Sequence, residues 1–141
     1  MASFNKHNAF VENLPEKVHN LESDTLRLLL TNAAPLAANA VKADLTEISA
    51  GNGYTAGGTQ TSQTSSAQSG GTYKLICADV VFTASGGAIG PFRYVDIYND
   101  TPTSPADPLI GWWDYGSSIT LASGETFTAD LDGTNGVLQL Q

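Results

Sequence analysis

The chain has 141 residues, 41% of them hydrophobic and 14% charged, with 14 acidic residues against six basic ones and a net charge of −8. This length and apolar content suit one domain with one core, and the scattered basic residues argue against binding along a phosphate backbone. The single cysteine, Cys77, excludes an intrachain disulfide, and no apolar run approaches the length of a membrane span.

The first residues predict either a short helix or an extended arm. Phe4, Phe10 and Val11 are loosely helical in spacing, and Pro15 would lie near the end of such a helix. The alternative is an extended arm that reaches a neighbouring subunit. The residues after Met1 lack the apolar core of a secretory signal, so we expect maturation in a cytoplasm-like compartment.

Alternation of side chains begins at Thr25, where TLRLLLTN predicts a strand with Leu26, Leu28 and Leu30 on one face. Residues 51–72 read GNGYTAGGTQTSQTSSAQSGGT, in which Tyr54 is the only large side chain. This segment predicts a long loop or a weakly packed edge hairpin with a turn at Gly70 and Gly71. An arm that orders on assembly is the functional alternative for the same residues.

Strand patterns follow in quick succession after residue 72. TYKLICADVVFTAS predicts one long strand, or two strands separated near Ala78 and Asp79. TPTSPADP has three prolines and cannot continue a sheet. In FRYVDIYND, simple alternation places four side chains on one face, namely Phe92, Tyr94, Asp96 and Tyr98.

The adjacent tryptophans of LIGWWDYG are expected to point in opposite directions. On a regular strand, Trp113 shares a face with Leu109 and Tyr115, and Trp112 shares the other with Ile110. One tryptophan should therefore enter the core, and the other should lie on the outer face or under another element. This arrangement favours a core and interface role over a sugar-stacking platform.

The clearest half-buried hairpin is predicted over residues 117–131, with its turn at residues 122–125. In total, about seven or eight short strands with frequent turns predict an all-β fold, an antiparallel β-sandwich or jelly roll. We divide the chain into an N-terminal arm or short helix at residues 1–24 and a single β-sandwich domain at residues 25–141.

No pattern in the chain predicts catalytic, cofactor-binding or metal-binding residues, so we expect a protein that is not an enzyme. GNGYTA matches the dinucleotide pattern G-x-G-x-x-A, but GGTQTSQTSS after it will not form the required helix. DLDG resembles the start of a calcium loop but lacks the later ligands, so an Asx turn at Asp132 is the preferred interpretation. His7 and His19 lack metal-ligand spacing.

Long stretches of the chain resemble a family of small structural proteins of tailed bacteriophages. The most specific are GNGYTAGG, GPFRYVDIYND and PLIGWWDYG, in that order. The resemblance implies a β-sandwich or jelly-roll fold and transfers no catalytic residue. The members that it most resembles are head decoration, or cement, proteins, which lie on the capsid exterior as oligomers, commonly trimers.

The resemblance leads us to expect a capsid decoration protein that bridges capsomers, with the major capsid protein and its own copies as partners. It would assemble in the host cytoplasm and contact neither nucleic acid nor membrane. The predicted interface residues are Phe4, Phe10 and Val11 in the arm, with Trp112 or Trp113. The alternative is a tail-tip or fibre module that binds a host-surface glycan through an exposed tryptophan and loop residues near Tyr54.

Overall fold

The computed structural model describes residues 2–141, which form ten β-strands and one α-helix. The helix α1 spans Asn8–Asn13, and Lys42–Asp44 form a single 3-10 turn. The strands are β1 (Phe4–Lys6), β2 (Leu26–Thr31), β3 (Thr59–Thr61), β4 (Gln63–Ser69), β5 (Thr72–Cys77), β6 (Val80–Thr83), β7 (Ile89–Asn99), β8 (Leu109–Leu121), β9 (Thr126–Ala129) and β10 (Leu138–Leu140).

The strands form three antiparallel sheets, which confirms the predicted all-β class. The largest sheet has five strands in the order β1-β8-β7-β2-β3, and the smaller two have the orders β10-β5-β4 and β6-β9. The long ladder between β7 and β8 is the centre of the five-stranded sheet, because every other strand of that sheet is added outside it.

A single main core lies among the three sheets. Leu28 and Val95 enter it from the five-stranded sheet, Leu75 from the three-stranded sheet and Phe82 from the two-stranded sheet. Burial of each such side chain contributes about 1.5–3 kcal/mol to folding. A smaller cluster on the opposite face of the five-stranded sheet contains Leu29, Tyr98 and Leu109.

Register shifts in the β7–β8 ladder overturn part of the predicted face assignment. Phe92 and Val95, three residues apart, both lie in the main core, and the register of the ladder shifts between Phe92 and Tyr94. Ile110 is an extra residue between the pairs Ile97↔Gly111 and Tyr98↔Leu109, and it also turns into the main core. Simple alternation failed at Ile110 because an extra residue in one strand moves the following side chains to the other face. At Phe92 the regular pairing is interrupted, with one residue of β7 and four of β8 between the pairs Phe92↔Ile119 and Tyr94↔Asp114.

The hairpin predicted over residues 117–131 is wrong. The turn forms, with the amide of Glu125 donating to the carbonyl of Ala122 at 2.9 Å. However, β8 pairs with β7, and β9 pairs with β6, so the turn carries the chain from one sheet to another. The alternating pattern identified two half-buried strands correctly, but it carries no information on which strand each one pairs with.

Residues 51–72 are better packed than the sequence suggested. An edge hairpin of β4 and β5 does form, turning at Gly70 and Gly71, and residues 72–83 form the predicted two strands. Tyr54, by contrast, is a core residue with 3% of its surface exposed. Tyr54 ends a turn that begins at Gly51. The amide of each of these two residues donates to the carbonyl of the other, at 2.8 and 3.0 Å.

Gly58 provides a test of how closely this segment approaches β2. Its φ is +75°, and a Cβ atom there would overlap the carbonyl of Leu28. Gly124 has a φ of +92°, and a Cβ atom there would have no atom within 4 Å. Its replacement by alanine therefore measures only the cost of a positive φ, without any steric overlap. We expect Gly58→Ala to lower the free energy of unfolding by at least ~3 kcal/mol, and Gly124→Ala by only about 1 kcal/mol. Equal losses in urea denaturation would contradict the close packing of Gly58.

Candidate functional site

The N-terminal segment, residues 2–24, packs against the body of the protein. Its strand β1 pairs antiparallel with β8 along the edge of the five-stranded sheet, placing Phe4 opposite Trp113. A side chain at Gly111 would overlap the ring of Phe4, so glycine is required there. The amide of His7 then donates to the carbonyl of Ile110 at 3.0 Å. Strand β1 of this segment is therefore part of the sheet. The predicted short helix begins only after β1, at Asn8.

His7 and Asp96 form a completely buried pair that attaches this segment to β7. Both side chains are 0% exposed, and Nε2 of His7 lies 2.9 Å from Oδ2 of Asp96. Nδ1 of His7 lies 3.1 Å from the carbonyl oxygen of Leu36, which only accepts hydrogen bonds, so Nδ1 must carry a proton. A hydrogen bond between Nε2 of His7 and Oδ2 of Asp96 needs one further proton. If Nε2 carries that proton the two residues form an ion pair, and if Oδ2 carries it they form a neutral pair.

Burial raises the pKa of Asp96 to about 6, against the opposing effect of the hydrogen bond from His7. The other carboxyl oxygen, Oδ1, is buried and has no hydrogen-bond partner among residues 2–141. An aspartate beside a histidine is also found in catalytic sites. Here neither side chain reaches the surface, so the pair cannot contact a substrate and acts as an internal anchor.

The two tryptophans lie on opposite faces, as predicted. Trp113 is 5% exposed in the main core, with its ring centroid 5.3 Å from that of Phe4. Trp112 is opposite Asp96 on the other face and is covered in part by the imidazole of His7, at 4.6 Å between centroids. The paired aromatics therefore hold the N-terminal segment on both faces of β8.

A second polar cluster holds the end of the N-terminal segment. The amide oxygen of Asn99 accepts a hydrogen bond from the amide of Thr101, so its Nδ2 is the donor to Asp24 at 2.6 Å and to His19 at 3.1 Å. Nδ1 of His19 is thus an acceptor, which assigns the proton to Nε2. Burial lowers the pKa of His19 to about 4, and Nε2 has no partner within the described chain.

The five predicted interface residues have different surroundings. Phe10 is 4% exposed and, like Trp113, contributes its surface to the chain's own core. Phe4 and Trp112 are partly buried, and Val11 is 55% exposed. Leu36, at 62%, is even more exposed, and sequence reasoning missed it because it lies in an alanine-rich connection without alternation.

Val11 and Leu36 project from segments that meet at the same anchor. The carbonyl of Leu36 is bound to His7, and the amide of Asn8 at the start of α1 donates to the carbonyl of Ala37 at 2.8 Å. The helix that starts there carries Val11. We call these two exposed side chains the Val11–Leu36 surface.

An open groove of about 590 Å³ separates the N-terminal segment from the three-stranded sheet. Its apolar lining residues are Leu14, Leu21, Tyr73 and Leu140, and its polar ones include Lys17, His19 and Glu22. Leu140 is 42% exposed and is the most accessible apolar side chain among the residues that line the groove. The groove can accept apolar groups, with both signs of charge at its edges.

Motifs that resemble enzyme or metal sites have structural roles here. The carboxylate of Asp132 accepts hydrogen bonds from the amides of Thr134 and Asn135, which lower its pKa and confirm the predicted Asx turn. Within residues 2–141 no three potential ligands are grouped around a metal position. In GNGYTA, the hydroxyl of Tyr54 donates to Glu47 at 2.6 Å and accepts from the amide of Leu30 at 3.1 Å.

Among the described residues, no helix has the length and hydropathy needed to span a membrane. Comparisons of the chain with family models, curated proteins and solved structures found no match in any of the three.

The two buried clusters should respond to pH in opposite directions. Because the pKa of Asp96 is raised from 3.8 to about 6, its stabilising effect is complete below about pH 4 and is lost as pH rises towards 6. Because the pKa of His19 is lowered from 6.5 to about 4, its contribution is complete above pH 6.5 and is lost as pH falls towards 4.

Urea denaturation of Asp96→Asn and His19→Gln between pH 4 and 6.5 tests this opposition. We expect Asp96→Asn to gain stability relative to the wild type as pH rises, and His19→Gln to lose stability relative to the wild type over the same range. Parallel pH profiles for the wild type and either variant would show that the corresponding group does not titrate as described.

Proposed function

We propose that this protein is a structural component of a tailed-bacteriophage virion, a decoration protein that binds the major capsid protein on the outside of the head. It bridges neighbouring capsomers as a homo-oligomer, a trimer in the arrangement that the family resemblance implies. The proposal assigns it no enzymatic activity, no cofactor, and neither nucleic acid nor membrane as a partner.

The observation that carries the proposal is the Val11–Leu36 surface. Its two side chains are 55% and 62% exposed, yet both segments that bear them are attached to the buried His7. Apolar side chains held in fixed positions lose little conformational entropy when a partner covers them. They are therefore well suited to contact another protein, and one of them, Val11, belongs to the interface predicted from the sequence.

Composition and charge support the same role. Only 14% of the residues are charged, so much of the surface is desolvated at low cost when it packs against protein. The net charge of −8 opposes association with the DNA inside a head. A protein that binds only the assembled shell stabilises that shell by mass action, without any chemical step.

The glycan-binding alternative depends on an exposed aromatic residue. Trp112 is partly exposed, but His7 covers part of its ring. The hypothesis also invoked loop residues near Tyr54, whose own ring lies in the core with its hydroxyl bound to Glu47. The remaining support is one half-covered tryptophan, and we favour the decoration role.

The copy number of the protein in purified virions separates the two roles. A decoration protein that follows the capsid lattice should be present in copies on the order of hundreds per particle, whereas a tail-tip module should be present in about a dozen or fewer. Quantitative mass spectrometry against the major capsid protein measures this ratio, and a ratio typical of tail components would contradict the proposal.

Val11→Asp tests the Val11–Leu36 surface directly. We expect affinity for capsids lacking the protein to fall at least ~tenfold, because a charge replaces an apolar contact at the interface. The fold should be unaffected, with the free energy of unfolding changed by less than about 0.5 kcal/mol. Val81→Asp is the matched control, because Val81 is 53% exposed on β6, away from this surface. Equal loss of binding in both variants, or in neither, would contradict the assignment.

A further inference from the structure

The strand β4 lies at the edge of the three-stranded sheet and has one unpaired side. Its register runs from Gln63↔Cys77 to Ser69↔Thr72 with β5, and the sheet order β10-β5-β4 leaves its other side without a neighbour among residues 2–141. The strand has seven residues, and its only register shift lies between Gln63 and Ser65. From Ser65 onward its outer backbone groups form a regular row of donors and acceptors.

Beyond the register shift between Gln63 and Ser65, this edge has neither the charged side chains nor the prolines that normally prevent strand pairing. Exposed edges are usually protected by lysine, proline, inward-pointing charges or a covering loop. The sequence QTSSAQS contains no charge and no proline. Its small side chains, such as Ser65 and Ala67, also allow another backbone to approach closely.

The surrounding charge distribution favours a second copy of this chain as the partner. Two copies with a net charge of −8 each repel one another over most of their surfaces. Residues 48–73, however, contain no charged residue, and β4 lies within that stretch. The β4 edge is therefore a place where two copies can approach with little repulsion.

We infer that two copies of this chain pair through β4, antiparallel about a two-fold axis, and so join their three-stranded sheets into one continuous sheet. An antiparallel edge is self-complementary, because the donors of each strand face the acceptors of the other. A seven-residue strand buries a small area, so the association is weak and depends on concentration.

This contact is independent of any role in a virion. A trimer is built from head-to-tail contacts, whereas pairing through β4 is isologous and joins only two copies. If the protein is also a trimer, β4 provides a second type of contact between trimers. The test therefore uses the isolated protein and needs no capsid.

Ala67→Glu is the informative variant. Ala67 is exposed and lies opposite Lys74 of β5, so a glutamate there meets a positive charge within its own hairpin and leaves the fold intact. Ala67 is the middle residue of the regular run from Ser65 to Ser69, so a two-fold axis through the centre of that run brings the two carboxylates close together. We expect sedimentation equilibrium to show self-association of the wild type and at least ~tenfold weaker association of Ala67→Glu, with unchanged melting temperature. Ala38→Glu adds the same charge at an exposed alanine outside β4 and should associate like the wild type.

An equimolar mixture of Ala67→Glu and Ala67→Lys provides the second measurement, made well below the melting temperature of Ala67→Lys, because that lysine faces Lys74 of its own hairpin and lowers the stability of the variant. Opposite charges across the axis should restore association to within about threefold of the wild type. In the wild type, the amides of β4 should become more protected from hydrogen exchange as concentration rises. A wild type that stays monomeric to about 1 mM, or self-association that Ala67→Glu does not weaken, would overturn the inference.

Discussion

The buried pair of His7 and Asp96 is the constraint on which the arrangement of the N-terminal segment depends. It places His7, the residue between β1 and α1, beneath the surface of the central ladder, with both side chains 0% exposed. Burial of such a pair is costly unless its hydrogen bonds are made, and removing one partner leaves the other without compensation. The pair therefore favours one position of the segment strongly, because any displacement leaves buried polar groups without partners.

The consequences of this anchor extend to the surface. The imidazole covers Trp112, its Nδ1 binds the connection that carries Leu36, and the helix that carries Val11 begins at the next residue. A segment that reads as a possible arm in the sequence is thus a fixed part of the body. It carries the exposed side chain of Val11, and the unpaired edge of β4 lies at a different sheet.

The sequence predicted the strands better than their partners. Alternation and turn residues located β2, β5, β6 and the turn at residues 122–125, because these signals are local. The break in register after Phe92 and the extra residue at Ile110 altered the expected faces, because such irregularities leave no signature in a short alternating run. The pairing of β9 with β6 depends on contacts between residues far apart in the chain, which periodicity does not encode.

The candidate site was predictable only in part. The opposite orientation of Trp112 and Trp113 follows from strand geometry and was predicted, whereas the interface role of Val11 stays a prediction. The pairing of His7 with Asp96 was not, because 89 positions separate them and neither stands in a recognisable motif. Leu36 was missed because nothing local distinguishes an exposed leucine in a connection from a buried one.

Amide hydrogen exchange of the wild-type protein at about pH 5, below the raised pKa of Asp96, tests the central claim most directly. The amides of His7 and Asn8 donate to Ile110 and Ala37, so their exchange reports whether the N-terminal segment opens separately. If the buried pair fixes the segment, the amide of His7 should exchange with nearly the same protection as that of Val95 in the central ladder. Rapid exchange at His7 and Asn8 beside a fully protected Val95 would show a segment that detaches from an intact body, and would contradict this account.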